Sequence, residues 1–448
     1  MNKDANEIPQ QRNGRELIEI KHPEEITLDD VANVLSLTIK DDDSNKKIVF
    51  LAMLSAYTDK SQINVSLNAP SSTGKTYIAT QVSKFFPDED KVERSGASPT
   101  SFFYGSSVYD KERDAKIVSL SRKILIFYEQ PNPALQEKLR ALLSHDDREV
   151  VHSLVNKNKG RNKTDKIIIQ GFAATIFCSA GMRLDEQEAT RAILLSPEAT
   201  HAKIKQAIHL QVQRGSNEVK FEDWLESQAE RNTLKQRIIA IRDEHVDEII
   251  IPSEEDVERR FMEKLPGLKS RHPRDIDHLM HLIKAIALLN VWHRRQSDGT
   301  IVASQSDVDG AFDLWSDFFD SQNLNIPPAV MSMYKKYIVP AYVQKYQKAK
   351  DEQRVLMDNG KVGLSRFELN SYYMDQEGSA INDEQLRKQV LPQLENAGLI
   401  LLEKPDEDDK RSRHIFPKLL TDKDKNNIGI GGVDTDYTDD YDQLLEML

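Results

Sequence analysis

The residues that most constrain this chain are Ala69-Pro70-Ser71-Ser72-Thr73-Gly74-Lys75-Thr76, which follow the alternating run Ile63, Val65, Leu67 and open a helical stretch from Tyr77 to Phe86 that Pro87 stops. A strand turning through small hydroxyl residues and Gly into a helix is the arrangement that binds phosphate. Backbone N–H groups of the loop and helix N-terminus converge on the anion, Lys75 adds a point charge, and the Thr76 hydroxyl is a magnesium ligand. Gly74 lets the backbone approach, while Ala69 stands where the pattern usually has its first Gly. The bland alternative is a polar turn that happens to contain Gly-Lys-Thr.

A strand, a phosphate loop and a helix predict an α/β domain, and runs at Ile124 to Phe127, Ala173 to Cys178 and Ala192 to Leu195 alternate with helical ones, as a mainly parallel sheet requires. Upstream, Thr27 with Asp30 predicts a capped helix through Leu37, and Asn45 to Tyr57 a second helix after the Asp41-Asp42-Asp43-Ser44 cluster. Residues 200–320 read as helical throughout, with amphipathic stretches near Asp275 to Trp292 and Asp307 to Phe319. The expected organisation is a disordered start (1–25), a nucleotide-binding domain (26–199), a helical lid (200–325), a helical connector (326–359), a small unit (360–420), and a linker with acidic tail (421–448).

Composition limits the classes open to such a chain. It carries 61 Lys plus Arg against 73 Asp plus Glu, a net charge of -12, which excludes a globally basic polyanion binder but not a local basic patch. Its single cysteine, Cys178, excludes an internal disulfide and any cysteine-cluster zinc site, and fits a reducing compartment. The longest uncharged run, Ile167 to Met182, is too short for a membrane span, so a cytoplasmic protein without a membrane partner is expected.

Lys123-Ile124-Leu125-Ile126-Phe127-Tyr128-Glu129 is an apolar strand ending in an acid. Glu129 is the candidate to polarise the attacking water, the bland reading being an ordinary strand-end carboxylate. Tyr128 occupies the place where an Asp usually holds the metal's water shell, which bears on metal affinity and turnover.

Together these residues resemble an AAA+ ATPase. Over roughly residues 45–320 the order of features is most similar to the ATPase core of the minichromosome maintenance replicative helicases and their relatives on plasmids, phages and integrated elements. The resemblance implies an α/β P-loop NTPase sheet, a pre-sensor β-hairpin, a helical lid, ATP with Mg2+ as cofactors, and a homo-oligomer, expected as a hexameric ring. Glu149 to Val155 and Lys166 to Gln170 would form the hairpin that lines the DNA channel. Its tip carries Lys157, Lys159, Arg161, Lys163 and Lys166 against Asp165 alone, a local footprint for DNA phosphates or a solvated basic loop. Ser179 is similar in position to the polar sensor beside the γ-phosphate, or is a buried serine satisfied by backbone. Arg191 looks like an arginine finger offered to an adjacent subunit, or pairs with a nearby carboxylate. Arg274 looks like a second sensor able to reach the γ-phosphate. Fewer than 70 residues precede the phosphate loop, so the N-terminal oligonucleotide-binding domain usual in these helicases is not expected.

Ser365 with Glu368 and Asn382 with Gln385 cap two short helices, and Leu399 to Leu402 with His414 to Phe416 read as a wing. This looks like a winged helix-turn-helix with Arg387 and Lys388 exposed for DNA. The wing mixes Lys410, Arg411 and Arg413 with Asp406, Glu407, Asp408 and Asp409, so it suits a protein contact as well as DNA. The tail from Asp434 to Leu448 holds six acids, no Lys or Arg and an apolar end; it is a segment for a protein partner, a mask for the hairpin, or a solubilising end. The expected function is an ATP-driven DNA helicase or translocase in replication of a mobile element, the alternative an ATP-gated initiator or helicase loader with slow turnover. A protein-remodelling ATPase leaves the hairpin unexplained.

Overall fold

The computed structural model describes residues 24–95, 102, 107–156, 163–179, 190–198, 200–265, 267–297, 299–351, 362–404 and 413–418. The expectations for the first 23 residues, for Lys157, Lys159 and Arg161 in the hairpin tip, for Asp406 to Asp409, Lys410 and Arg411 in the wing, and for the acidic tail lie outside them.

The fold is α/β around a five-stranded, all-parallel sheet ordered β2-β5-β8-β1-β9: Lys91–Arg94, Lys123–Phe127, Ala173–Ser179, Asn64–Asn68 and Ile193–Leu195. Strand β5 is apolar at nearly every position because both of its faces are buried, as the inner strands of a covered parallel sheet require. Ile124 and Ile126 enter the main core, while Leu125 and Phe127 enter a second core on the opposite face.

The main core is shared by what the sequence divides into a nucleotide domain and a lid. Helix α1 (Leu28–Leu35), α2 (Asp43–Leu54) and α3 (Lys75–Ser83) pack there with Leu279, Ile283, Phe312 and Trp315 from two later helices. The α1 start is a capping box: the Asp30 N–H donates to Thr27 Oγ1 at 3.1 Å and the Thr27 N–H to Asp30 Oδ2 at 2.8 Å. Residues 200–320 are not helical throughout. Between α5 (His201–Ser216), α6 (Glu218–Glu226), α7 (Ala229–Asp243), α8 (Glu254–Glu263), α9 (His272–Leu289) and α10 (Gln305–Leu324) lies a three-stranded sheet, β10 (Glu248–Ile250), β12 (Thr300–Val302) and β11 (Arg295–Ser297). Each strand has three residues, too few for alternation to register against the helical pattern around it.

The second core sits between α4 (Pro133–Leu143), the central sheet and a four-stranded sheet ordered β3-β4-β7-β6. Strands β6 (Glu149–Asn156) and β7 (Lys163–Gln170) are the expected hairpin, longer than the sequence indicated, with Asn156 paired to Lys163. A second hairpin, β3 (Val108–Asp110) and β4 (Ala115–Ser119), joins it through a parallel β4–β7 ladder. Gly171 links β7 to β8 at φ +80°, and a Cβ there would lie 2.0 Å from Ser121 Oγ.

Beyond α10, a third core holds helices α11 (Pro328–Met333), α12 (Val339–Asp351) and α13 (Arg366–Glu377), then a helical run through α14 (Asp383–Gln385) and α15 (Leu391–Asn396), and an antiparallel pair, β13 (Ile400–Glu403) with β14 (His414–Pro417). Ser365 with Glu368 forms the expected capping box, and Asn382 Oδ1 accepts from the Gln385 N–H.

Candidate functional site

Every residue of β1 is buried, and the loop that leaves it contains two left-handed residues, Ser72 at φ 66° and Gly74 at φ 98°. These turns bring the chain back over the strand end so that α3 starts at Lys75, two residues earlier than the sequence suggests. No side chain caps this helix, which leaves its first N–H groups without a side-chain acceptor. Lys75 is 7% exposed, and its Nζ donates to the carbonyls of Ala69 at 2.7 Å and Pro70 at 2.6 Å. Burial holds its pKa below the ordinary lysine value. The Thr73 hydroxyl donates to Pro70 O at 3.0 Å, closing the loop on itself. Behind it, burial pushes the Cys178 thiol up to about 12, with Lys75 and Thr76 beside it only partly offsetting that.

The strand ends align other candidates with this loop. Asn68 is level with Ser179 across the β1–β8 ladder, and Phe127 is level with Phe177 across β8–β5, so Glu129, Ser179 and Ala69 emerge from three adjacent strands at one sheet edge. Ser179 is buried and its hydroxyl donates to Gln130 Oε1 at 3.1 Å. Glu129 is exposed. Tyr128 is partly buried, and its hydroxyl engages Thr80 of α3 and Glu93 at the end of β2, with burial the main cause of its raised pKa.

Arg191 and Arg274 lie at the other end of the sheet. Ile193 pairs with Val65, so Arg191 precedes the start of β9 beside the start of β1; its backbone carbonyl accepts from Asn64 Nδ2 at 3.4 Å, and its Nε donates to Ser144 Oγ at 2.6 Å. Arg274 Nη1 donates to Thr190 Oγ1 at 2.6 Å. The five residues of β1 span about 13 Å at 3.3 Å per residue. Within one chain, therefore, Arg274 does not face the phosphate loop, contrary to the expectation that it reaches the γ-phosphate there, and Arg191 sits beside it on the same remote edge.

Two residues that the sequence did not single out complete the loop's surroundings. Lys203, in the first turn of α5, donates to Thr73 O at 3.4 Å and Glu198 O at 2.7 Å, and pairs with Asp42. Asp42 is the left-handed residue before α2, with a side chain 1% exposed. An open cleft of about 320 Å³ adjoins this corner, lined by Asp41, Asp42, Ser196, Phe318 and Pro328 among others. Only the fold joins residues this far apart in the chain.

Lys166 is exposed on β7 opposite Ser153, and Lys163 opens that strand. In the C-terminal unit Arg387 and Lys388 are both exposed, and Lys388 Nζ contacts Glu384 at 2.6 Å. Among the described residues no group of His, Cys, Asp and Glu is arranged to hold a metal, and no helix is long and apolar enough to cross a membrane. No protein-family model matches this chain, and no curated protein is a match for it.

Proposed function

We propose that this chain is an ATP-binding and ATP-hydrolysing AAA+ protein, similar to the ATPase core of the minichromosome maintenance helicases, that works as a DNA helicase or translocase in the replication of a mobile element. The observation that carries the reading is the division of polar groups between the sheet's two edges. Lys75, Thr76, Ser179 and Glu129 share one edge, while Arg191 and Arg274 share the other.

The residues at the first edge fit a nucleoside triphosphate. A Cβ at Gly74 would meet nothing nearer than Lys203 Nζ at 4.0 Å, so the loop's outer face is open to phosphate. The α3 N-terminus and Lys75 supply positive potential, and the cleft beside Asp42 and Ser196 offers room for the nucleoside. Thr76 is the protein ligand for Mg2+, which neutralises phosphate charge when bound. Glu129 orients and deprotonates the attacking water, and Ser179 with Gln130 positions a polar group beside it.

Arginines at the far edge act only if another copy brings them to the nucleotide, so the reading includes head-to-tail contacts between copies, expected to close into a hexameric ring. DNA contact falls to the hairpin residues Lys157, Lys159, Arg161, Lys163 and Lys166. The C-terminal unit is proposed as a winged helix-turn-helix that presents Arg387 and Lys388. The experiment is ATPase rate against added single- and double-stranded DNA. Lys75→Ala should abolish hydrolysis, while replacing Lys157, Lys159, Arg161 and Lys163 together by Ala should leave basal hydrolysis and remove DNA stimulation. DNA affinity unchanged in the fourfold variant would move the assignment to protein remodelling.

Tyr128 favours a second reading, an initiator or loader with slow turnover. A phenol stands here instead of a carboxylate, so this position adds no acidic group to the metal's water shell.

A further inference from the structure

Beyond its first turn, which Lys203 holds against the loop and Asp42, helix α5 is largely exposed. Of its residues His201–Ser216 only Leu210 is buried, and the helix packs mainly against α6, the helix that follows it. Ile204, Ile208 and Val212 are 45%, 60% and 63% exposed and recur at intervals of four, so they form one apolar stripe along a free face. A helix does not keep three branched aliphatic residues in water in one row unless something covers them. The helix holds no Asp or Glu from His201 to Ser216; Lys203 pairs with Asp42 and Arg214 with Glu218, while Lys205 is exposed beside the stripe.

The complementary segment is in the same chain. From Asp434 to Leu448 the sequence holds Asp434, Asp436, Asp439, Asp440, Asp442 and Glu446 without a Lys or Arg, and Tyr441, Leu445 and Leu448 recur at intervals of four and three. Helix from Ile204 to Val212 covers about 12 Å, and a helical segment from Tyr441 to Leu448 would cover about 10 Å.

The starting point of the tail is also close. Lys418, the last described residue, accepts a hydrogen bond at its carbonyl from Tyr334. One turn on, Tyr337 donates to Glu377 Oε1 at 2.6 Å, and the Glu377 carbonyl contacts His201 Nε2, at the start of α5, at 3.0 Å. The residues between Lys418 and Asp442 span about 27 Å on average as a flexible chain. The α5 face lies within that reach.

We infer that the exposed face of α5 is the docking site of the chain's own C-terminal segment, with Tyr441, Leu445 and Leu448 laid on Ile204, Ile208 and Val212 and a tail carboxylate beside Lys205. This contact does not depend on ATP hydrolysis or on DNA.

The single native cysteine makes the test direct, because Cys178 is buried and its thiol is held neutral by burial, so introduced cysteines pair without competition. In the full chain, Ile208→Cys with Leu445→Cys should form an intrachain disulfide under mild oxidation. The pair Gln206→Cys with Leu445→Cys, which puts the thiol on the opposite side of α5, should form little. Equal crosslinking by the two pairs, or disulfides that join two copies through α5, would overturn the assignment, the latter making this face a contact between copies. As a second measurement, a labelled peptide of residues 434–448 should bind a chain ending at Val433. Ile208→Glu, checked for folding by circular dichroism, should weaken that binding by about tenfold or more, since it forfeits one buried aliphatic side chain. Equal affinity of the peptide for the Ile208→Glu chain would also overturn it.

Discussion

At the scale of single residues, the phosphate loop was legible because its chemistry is contiguous: the strand, turn, Lys75 and Thr76 follow one another without a gap. Lys203 and Asp42 were not legible, because what joins them to Thr73 is the approach of α5 to the loop before α2, and no local pattern encodes it. Tyr128 was visible as a departure from the usual pattern, but its partners were not. Its half-buried ring packs against the main core, near Thr80 of α3 and Glu93 of β2. A consequence can be measured. If metal binding is not limiting, as expected of a working motor, Tyr128→Asp changes the single-turnover hydrolysis rate by no more than about twofold, whereas a gain of about tenfold or more assigns the native chain to the slow-turnover reading.

At the scale of elements, long periodic helices and two-sided apolar strands were readable from sequence. The short strands β2, β3 and β10 to β12 were not, since they carry no apolar run of the kind that marked β9 and their pairing depends on neighbours distant in the chain. The expected hairpin is therefore better described as half of a four-stranded sheet. Its parallel β4–β7 ladder gives it a base that β6 and β7 alone would lack. Gly171 is the joint between that sheet and the Ser179 strand: its N–H donates to Arg148 O at 2.8 Å, and its φ of +80° suits no residue with a Cβ so close to Ser121. Gly171→Ala should lower stability by about 2 kcal/mol or more in chemical denaturation, whereas an exposed glycine such as Gly215, with nothing within 4 Å, should tolerate the same change.

At the scale of the whole molecule, the sheet, α9 and the hairpin meet at three histidines, of which His278 is buried and His145 and His281 half-buried. His145, at the root of the hairpin, lies 5.5 Å from His281 of α9 between ring centroids and 4.7 Å from Phe172, and His278 is buried one turn away. Burial depresses all three, His145 and His278 to about 4. The neighbouring charges are Asp146, Asp275, Arg271, Arg274 and Lys284, and the carboxylates only partly offset burial. For His145 and His278 the unfolded chain takes up its protons near pH 6.5 and the folded one only near 4, so stability is full above the unfolded value and is lost as pH falls between the two. Denaturation between about pH 7.5 and about pH 5 should show a loss on the order of 2 kcal/mol per histidine, and His145→Phe should reduce that slope. A slope unchanged in the variant would remove His145 from the account.

The same scale holds the central claim, that nucleotide and arginines occupy opposite edges of one chain and meet only between copies. Mixing two variants, Lys75→Ala and Arg191→Ala, tests it most directly. Each alone should hydrolyse no ATP. An equal mixture in which copies assemble at random should recover activity at about a quarter of its sites, those where an intact loop faces an intact arginine across a head-to-tail contact. A mixture no more active than either variant alone, from proteins shown to co-assemble, would contradict the account.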